Sequence, residues 1–269
     1  MVEKMICAYL KDIERRHGVR ILYACESGSR AWGFPSPDSD WDVRFIYAND
    51  WHWYMRIHEP RDVIEEAAGD LDFSGFDLRK ALRLGYKSNP SVLEWLHSPI
   101  EYWAYCDFAS DLRSALAGYS RSALMHHYVS LASRQYKAYW QPAGDDQPIR
   151  LKKYLYAIRP LTAVLWMAQH RDGFPPIDFG TLLGAIEGGC KTADLMADLD
   201  ALLAAKAESA EALGVGRYPR WDAWIIQHLE ICRARALAEP DHGTISAPRL
   251  DGLLQEYCAA FTTGGQDER

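Results

Sequence analysis

The pattern of apolar residues changes near residue 107, and this change constrains the fold more than any other feature of the sequence. Before that point, short runs of β-branched and aromatic residues are separated by turns. Val19–Glu26 and Trp41–Ala48 are typical of buried strands, and Asp70–Asp77 predicts a third. After that point, apolar residues recur at three- and four-residue intervals, the spacing of core-facing helices. The sequence therefore predicts an α+β chain in which a mixed sheet precedes a helical region.

The predicted helices define the organisation of the chain. In the first part we expect a short helix at Asp62–Ala68 and a longer one at Leu78–Leu96, interrupted at Asn89-Pro90. Later helices are predicted at 108–117, 121–140, 150–171, 192–213, 219–238 and 247–261. The predicted segments are an α/β domain at 1–107, an all-helical domain at 108–262 and a flexible tail at 263–269.

The composition excludes several classes of protein. No run of about 18 apolar residues is present, so we expect no membrane-spanning helix. The six cysteines include no C-x-x-C pair, which argues against a zinc site and predicts reduced thiols. We therefore expect a cytoplasmic protein.

The net charge of −7 argues against unselective binding to nucleic acid. The segment from Arg121 to Pro160 is different, because it holds seven Lys or Arg against two Asp. Such a segment could face a polyanion, or could form a solvated helix face.

Asp40 and Asp42 are the strongest candidates for chemistry. They lie two residues apart at the start of a predicted strand, so their side chains share one face, about 6–7 Å apart. Carboxylates in this arrangement suit Mg²⁺ or Mn²⁺, and a third carboxylate would complete a two-metal site. Asp72 and Asp77 are the candidates, and a regular strand would point them to opposite faces. The alternative role for Asp77 is to cap the helix that follows it.

Gly28 and Ser29 precede these aspartates at a turn between a strand and a helix. Exposed backbone N–H groups and a hydroxyl at such a turn can bind phosphate oxygens. The order of turn, loop and paired aspartates therefore indicates phosphate chemistry, although an ordinary turn remains the alternative.

These residues resemble the signature of the DNA-polymerase-β-type nucleotidyltransferases. Gly28-Ser29, Gly33, Ser39 and Asp40-Trp41-Asp42 stand in the order and spacing of that superfamily. The first part of the chain looks more specifically like the predicted nucleotidyltransferases associated with RNA ligases in RNA repair, with Phe76 standing where Trp is expected. The segments carrying the closer resemblance are Gly75–Lys80, Lys87–Pro90, Leu93–Ile100 and Arg150–Tyr154, within about residues 20–170.

The resemblance implies a polymerase-β-like fold and a reaction. Two Mg²⁺ or Mn²⁺ ions, held by Asp40, Asp42 and Asp72, would support NMP transfer from an NTP such as ATP to a hydroxyl, with release of pyrophosphate. The implied acceptor is an RNA end in repair, and an RNA ligase is the implied functional partner. The alternatives are AMP transfer to a protein or small-molecule hydroxyl, and an inactive sensor that binds nucleotide or RNA.

A second group of candidates lies on the predicted helix at 150–171. Lys152, Tyr156 and Arg159 fall at helical spacing on the face opposite the apolar stripe that includes Leu151 and Leu155. We expect this face to be polar and to bind the triphosphate together with Gly28 and Ser29, because an NTP beside several carboxylates needs additional cations.

Overall fold

The computed structural model describes residues 2–143, 147–185, 192–208 and 215–263. The predicted tail at 263–269 lies outside the described residues, except for Thr263, which ends the last helix.

The chain forms two compact units, and neither is a continuous segment. The first comprises Met1–Gly28, Asp40–Tyr119 and Gly243–Arg269, and the second comprises Ser29–Ser39 and Ser120–His242. These units differ from the predicted linear division at residues 107 and 108. A helix near the carboxyl terminus belongs with the sheet, and a short segment from the first part of the sequence belongs with the helices.

The first unit contains a five-stranded mixed sheet. Its order is β3-β4-β2-β1-β5, in which β2 and β4 are parallel and the other neighbours are antiparallel. This sheet confirms the predicted α+β class. The strands are β1 (Arg20–Ser27), β2 (Trp41–Ala48), β3 (Val63–Ala68), β4 (Leu71–Asp77) and β5 (Glu101–Ala104).

Apolar side chains from one helix cover the sheet and fix the strands. Ile6, Leu10 and Ile13 of the amino-terminal helix are buried in a cluster with Val43 and Phe73 of the sheet. The short α2 (Gly28–Ala31) begins at Gly28, the residue that ends the first segment of this unit. The helices that lie within the unit are α1 (Val2–His17), α3 (Trp51–Tyr54), α4 (Leu78–Tyr86), α5 (Pro90–Leu96), α6 (Phe108–Leu116) and α13 (Ala247–Thr263).

The predicted helix at Asp62–Ala68 is wrong, because Val63–Ala68 forms β3. Glu and Ala favour a helix when considered alone, but Val63 pairs with Phe76 and the strand continues antiparallel to β4. The predicted interruption of the next helix is confirmed. Asn89 accepts from the Ser91 N–H at 2.9 Å and starts a new helix with Pro90 in its first turn.

Among its described residues, the second unit is helical apart from one two-stranded pair, β6 (Ile149–Arg150) with β7 (Val215–Gly216). Within α9, every residue from Ala157 to Met167 is buried, so this helix forms the centre of the unit. No described helix of the protein is long and apolar enough to cross a membrane. The helices are α7 (Arg121–Gln135), which continues as a π-helical turn (Tyr136–Trp140), α8 (Gln141–Ala143), α9 (Leu151–Gln169), α10 (Phe179–Gly184), α11 (Ala193–Glu208) and α12 (Pro219–Ala238).

Candidate active site

Asp42 and Asp72 lie side by side at the amino ends of the parallel strands β2 and β4. They are directly paired in the strand register, so their side chains leave the sheet on the same face. Arg44 joins them: its Nη2 donates to Asp42 Oδ1 at 2.7 Å and to Asp72 Oδ2 at 2.9 Å. The arginine therefore offsets the repulsion between two neighbouring carboxylates.

Asp40 lies just before β2 and is exposed to solvent. The carboxylates of Asp42 and Asp72 remain 28% and 48% exposed, whereas the Arg44 side chain is 18% exposed. Among the described residues, no three His, Cys, Asp or Glu side chains are gathered closely enough to hold a metal ion. The donor chemistry nevertheless fits Mg²⁺ or Mn²⁺, because carboxylate oxygens are the protein ligands that these ions prefer and solvent can reach all three groups.

Gly28 is required by the close approach of an aspartate. Its φ is +63°, and a Cβ at this position would lie 2.1 Å from Asp42 Oδ2. The backbone of the turn is therefore in contact with the Asp42 carboxylate, and a side chain would push that carboxylate away. This contact links the glycine of the sequence signature to its second aspartate.

Glu26 is a site residue that the sequence interpretation missed. It is fully buried at the end of β1, where Oε1 accepts the Asp42 N–H at 2.9 Å and Oε2 accepts the Tyr102 hydroxyl at 2.5 Å. These hydrogen bonds fix the backbone that carries Asp42. A glutamate inside an apolar strand was the available signal, because a buried carboxylate needs hydrogen-bond partners.

Asp77 occupies the opposite end of β4. It is fully buried and accepts three hydrogen bonds, from the Arg79 N–H at 2.9 Å, Asn49 Nδ2 at 2.9 Å and the Tyr54 hydroxyl at 2.8 Å. Burial raises the pKa of Asp77, and the hydrogen bonds act in the opposite direction. Because five strand positions separate it from Asp72, about 16 Å lie between them. The structure thus places Asp77 as the cap of α4 and keeps it apart from the other aspartates.

Ser29 is buried within the loop that follows the turn. Its hydroxyl donates to Ser39 Oγ at 3.1 Å, and its carbonyl accepts the Phe34 N–H at 3.0 Å. Arg30 Nη2 also donates to the Ser39 carbonyl at 2.6 Å. These hydrogen bonds thus join the two ends of the segment Ser29–Ser39.

The expectation that Arg159 lies on a polar helix face is wrong. Arg159 is 4% exposed, donates to the Ile177 carbonyl at 3.3 and 3.4 Å, and lies 4.5 Å from the Trp32 ring centre. Tyr156 contacts the same ring edge-on at 5.5 Å, and Lys152 is half-buried. The helix is buried around Arg159, which therefore packs against the segment Ser29–Ser39.

Lys206 is a second buried cation that the sequence did not reveal. It is 5% exposed, its Nζ donates to the Phe34 carbonyl at 2.8 Å, and it lies 5.6 Å from the Phe34 ring. Arg159 and Lys206 therefore hold successive aromatic residues of the segment between Gly28 and Asp40. Their sequence separation explains why no local pattern indicated this arrangement.

The match to a protein family agrees with the sequence signature. Residues 2–256 match the profile of the RNA repair pathway DNA polymerase beta family. The uncharacterized protein YcgL of Bacillus subtilis (strain 168) is 44% identical over 212 residues, which cover 78% of each chain. Among solved structures, a nucleotidyltransferase-like protein from Exiguobacterium sibiricum 255-15 aligns with all of this chain and 81% of its own, at 10% identity and a TM-score of 0.30.

The chain is a nucleotidyltransferase of the polymerase-β type, as Gly28-Ser29 and Asp40-Trp41-Asp42 predicted. More specifically, it belongs to the RNA repair pathway DNA polymerase beta family, and the resemblance to RNA-repair nucleotidyltransferases is confirmed.

Proposed function

We propose that the protein transfers an NMP from an NTP to a hydroxyl group at an RNA end, with Asp40, Asp42 and Asp72 binding two Mg²⁺ or Mn²⁺ ions. The observation that carries the proposal is the pairing of Asp42 with Asp72 on adjacent parallel strands. The divalent ions, when bound, would supply positive charge to the triphosphate and to the attacking oxygen. Membership in an RNA repair family supports RNA as the acceptor.

The residues of the chain have separate tasks in this reaction. Asp72, the most exposed of the paired carboxylates, would accept the proton of the attacking hydroxyl. A bond then forms between that oxygen and the α-phosphorus while the bond to the β-phosphate oxygen breaks, and pyrophosphate leaves. Glu26 and Gly28 keep Asp42 in place, and Arg44 keeps the two carboxylates side by side.

We also propose that the NTP is bound by Gly28, Ser29, Lys152 and Tyr156, with the buried Arg159 in an indirect role. The half-buried Lys152 and Tyr156 would contact the nucleotide directly. Arg159 would contribute through Trp32, whose ring it contacts. An RNA ligase remains the proposed partner, because a ligase would consume the RNA end that this reaction produces.

A nucleotide or RNA sensor without catalysis is the second candidate. It is favoured by the position of Arg44, whose guanidinium already bridges Asp42 and Asp72 and offsets one of their two negative charges. Catalysis requires this arginine to share the carboxylates with metal ions, whereas a sensor does not.

To test these functions, the protein is incubated with one labelled NTP at a time, with Mg²⁺ or Mn²⁺, and with pools of RNA, cell protein and small hydroxyl compounds. We expect label on RNA ends and pyrophosphate in equal amounts. Label on protein or on a small molecule would replace RNA as the acceptor. Nucleotide binding without label in any pool, in wild type and Asp42→Asn alike, would support the sensor.

A further inference from the structure

A groove of about 410 Å³ lies between α4 and α13, wholly within the first unit. Arg79, Arg83 and Lys87 line it from the α4 side, and Leu250 and Leu254 line it from the α13 side. The groove involves none of the aspartates discussed above, and the proposed reaction assigns it no role.

The cations of the groove form a row. Arg79 and Arg83 lie one turn apart on one face of α4, about 6 Å along its axis, and Lys87 follows at the residue that caps the carboxyl end of the helix. One acidic residue, Asp251, lines the groove with them. A local excess of positive charge on a chain of net charge −7 indicates a polyanionic ligand.

The partners of these cations leave them accessible. Arg83 meets Glu59 at 3.3 Å, but both side chains are more than 60% exposed, and such a pair contributes little. The Arg79 guanidinium lies 5.5 and 5.4 Å from the ring centres of Trp53 and Tyr54, so these two rings restrict its position. A row with one partly buried cation, Arg79, and two exposed cations, Arg83 and Lys87, is suited to binding a chain of phosphates.

The apolar and aromatic part of the groove distinguishes a single strand from a duplex. Tyr86 is 51% exposed beside Lys87, and the leucines of α13 provide an apolar wall. Unpaired bases stack on aromatic side chains and contact apolar surfaces, whereas paired bases are not available for such contacts.

We infer that this groove binds a single-stranded segment of the RNA acceptor, with phosphates on Arg79, Arg83 and Lys87 and a base on Tyr86. The inference rests on the proposed RNA acceptor. α4 follows the carboxyl end of β4 directly, and Asp72 lies about 16 Å back along that strand. The groove would therefore bind nucleotides several positions away from the reacting end, so short acceptors would bind more weakly than long ones.

The test measures binding of a labelled single-stranded RNA of about 12 nucleotides to the full chain. We expect the double variant R83Q/K87Q to bind at least tenfold more weakly than wild type. The slope of log affinity against log salt should fall by about 1.4, since each phosphate contact in a single strand contributes about 0.7. The matched control is K4Q/R15Q on α1, which removes the same charge from exposed positions and should change affinity less than twofold.

Tyr86 gives an independent measurement. Tyr86→Ala should weaken RNA binding about tenfold and Tyr86→Trp should preserve it, because only the second keeps a stacking surface. Thermal unfolding midpoints equal to wild type establish that these variants are folded. Equal losses in R83Q/K87Q and K4Q/R15Q would overturn the proposal, as would equal binding of a duplex of the same length.

The binding and transfer measurements together also distinguish the proposal for the groove from the proposed transfer reaction. Groove-dependent RNA binding without transfer of label to RNA would keep the groove and remove the acceptor assignment. Transfer to RNA with undiminished binding by R83Q/K87Q would keep the reaction and remove the groove.

Discussion

The two ends of the β2–β4 pair carry the same chemical group in opposite settings. At the amino ends, Asp42 and Asp72 are partly exposed and share one arginine. At the carboxyl end, Asp77 is fully buried and accepts three hydrogen bonds from neutral donors. Carboxylates held close together at an exposed edge need cations, whereas a buried carboxylate surrounded by donors is already satisfied.

The exposure and the hydrogen-bond partners of an aspartate, and not its residue type, separate a reactive carboxylate from a structural one. Both kinds of aspartate stand on the same strand, five residues apart. The exposed carboxylates of Asp42 and Asp72 can exchange their hydrogen-bond partners for water. The buried carboxylate of Asp77 can do so only if α4 unfolds or moves away.

The largest effect is expected at the exposed end. Asp42→Asn should lower the rate of NMP transfer by at least three orders of magnitude, about 4 kcal/mol, because it removes a ligand from the proposed metal site. Unfolding by urea should be little changed, since the carboxylate is partly exposed. Initial rates with labelled NTP provide the measurement, and substantial activity in a folded variant would disprove the metal-site proposal.

The next largest effect is expected at the buried carboxyl end of β4, and it should be a loss of stability and not of activity. Asp77→Ala should lower the free energy of unfolding by about 3 kcal/mol, because it removes the cap of α4 and leaves Asn49 and Tyr54 without their acceptor. Urea titration measures this loss. The transfer rate, assayed well below the unfolding midpoint, should stay near that of wild type, and a loss as large as that of Asp42→Asn would make Asp77 a site residue.

Gly28 connects the turn to the exposed aspartates. Gly28→Ala should lower the transfer rate about a hundredfold, because the new Cβ displaces the Asp42 carboxylate and the backbone has a positive φ. Gly18→Ala is a suitable control, since that residue has the same φ of +63° with no atom within 4 Å of the added Cβ. An equal loss of transfer rate in both variants would show that the effect comes from backbone strain and not from displacement of the Asp42 carboxylate.

The smallest effect concerns pH. Burial raises the pKa of Asp77, so its protonated form is favoured in the folded protein relative to the unfolded chain. The contribution of this titration to stability is full below the unfolded pKa near 3.8 and is lost as the pH rises through the folded pKa. The stability difference between wild type and Asp77→Ala should therefore shrink as the pH rises from acid. A difference that grows with pH would show that the hydrogen bonds outweigh burial.

Local sequence patterns were sufficient to predict some features of the fold and of the candidate site, and insufficient to predict others. The bounds of β2 followed from strand composition, whereas the shared face of Asp40 and Asp42 stays a prediction because Asp40 precedes the strand. Strand parity separated Asp72 from Asp77, but only the register of β2 against β4 showed which one lies beside Asp42. That register depends on chain segments that are distant in sequence.

The features that the sequence did not reveal all depend on such long-range contacts. Glu26 acts on a neighbouring strand, Lys206 holds a loop 172 positions away, and β3 forms only because β4 offers an edge. The placement of α13 with the sheet is of the same kind, because nothing near residue 247 indicates the partner of that helix.

The alternation of the chain between its two units has a consequence for biosynthesis. The first unit begins at the amino terminus, yet α13, which belongs to it, is synthesised after the whole second unit. The segment Ser29–Ser39 likewise leaves the ribosome long before α9 and α11, which carry Arg159 and Lys206. Neither unit can therefore reach its final form as a domain that folds during translation ahead of the rest. A gene cut at residue 119 or 243 would encode fragments that each lack a part, and productive enzyme would require the pieces to be supplied together.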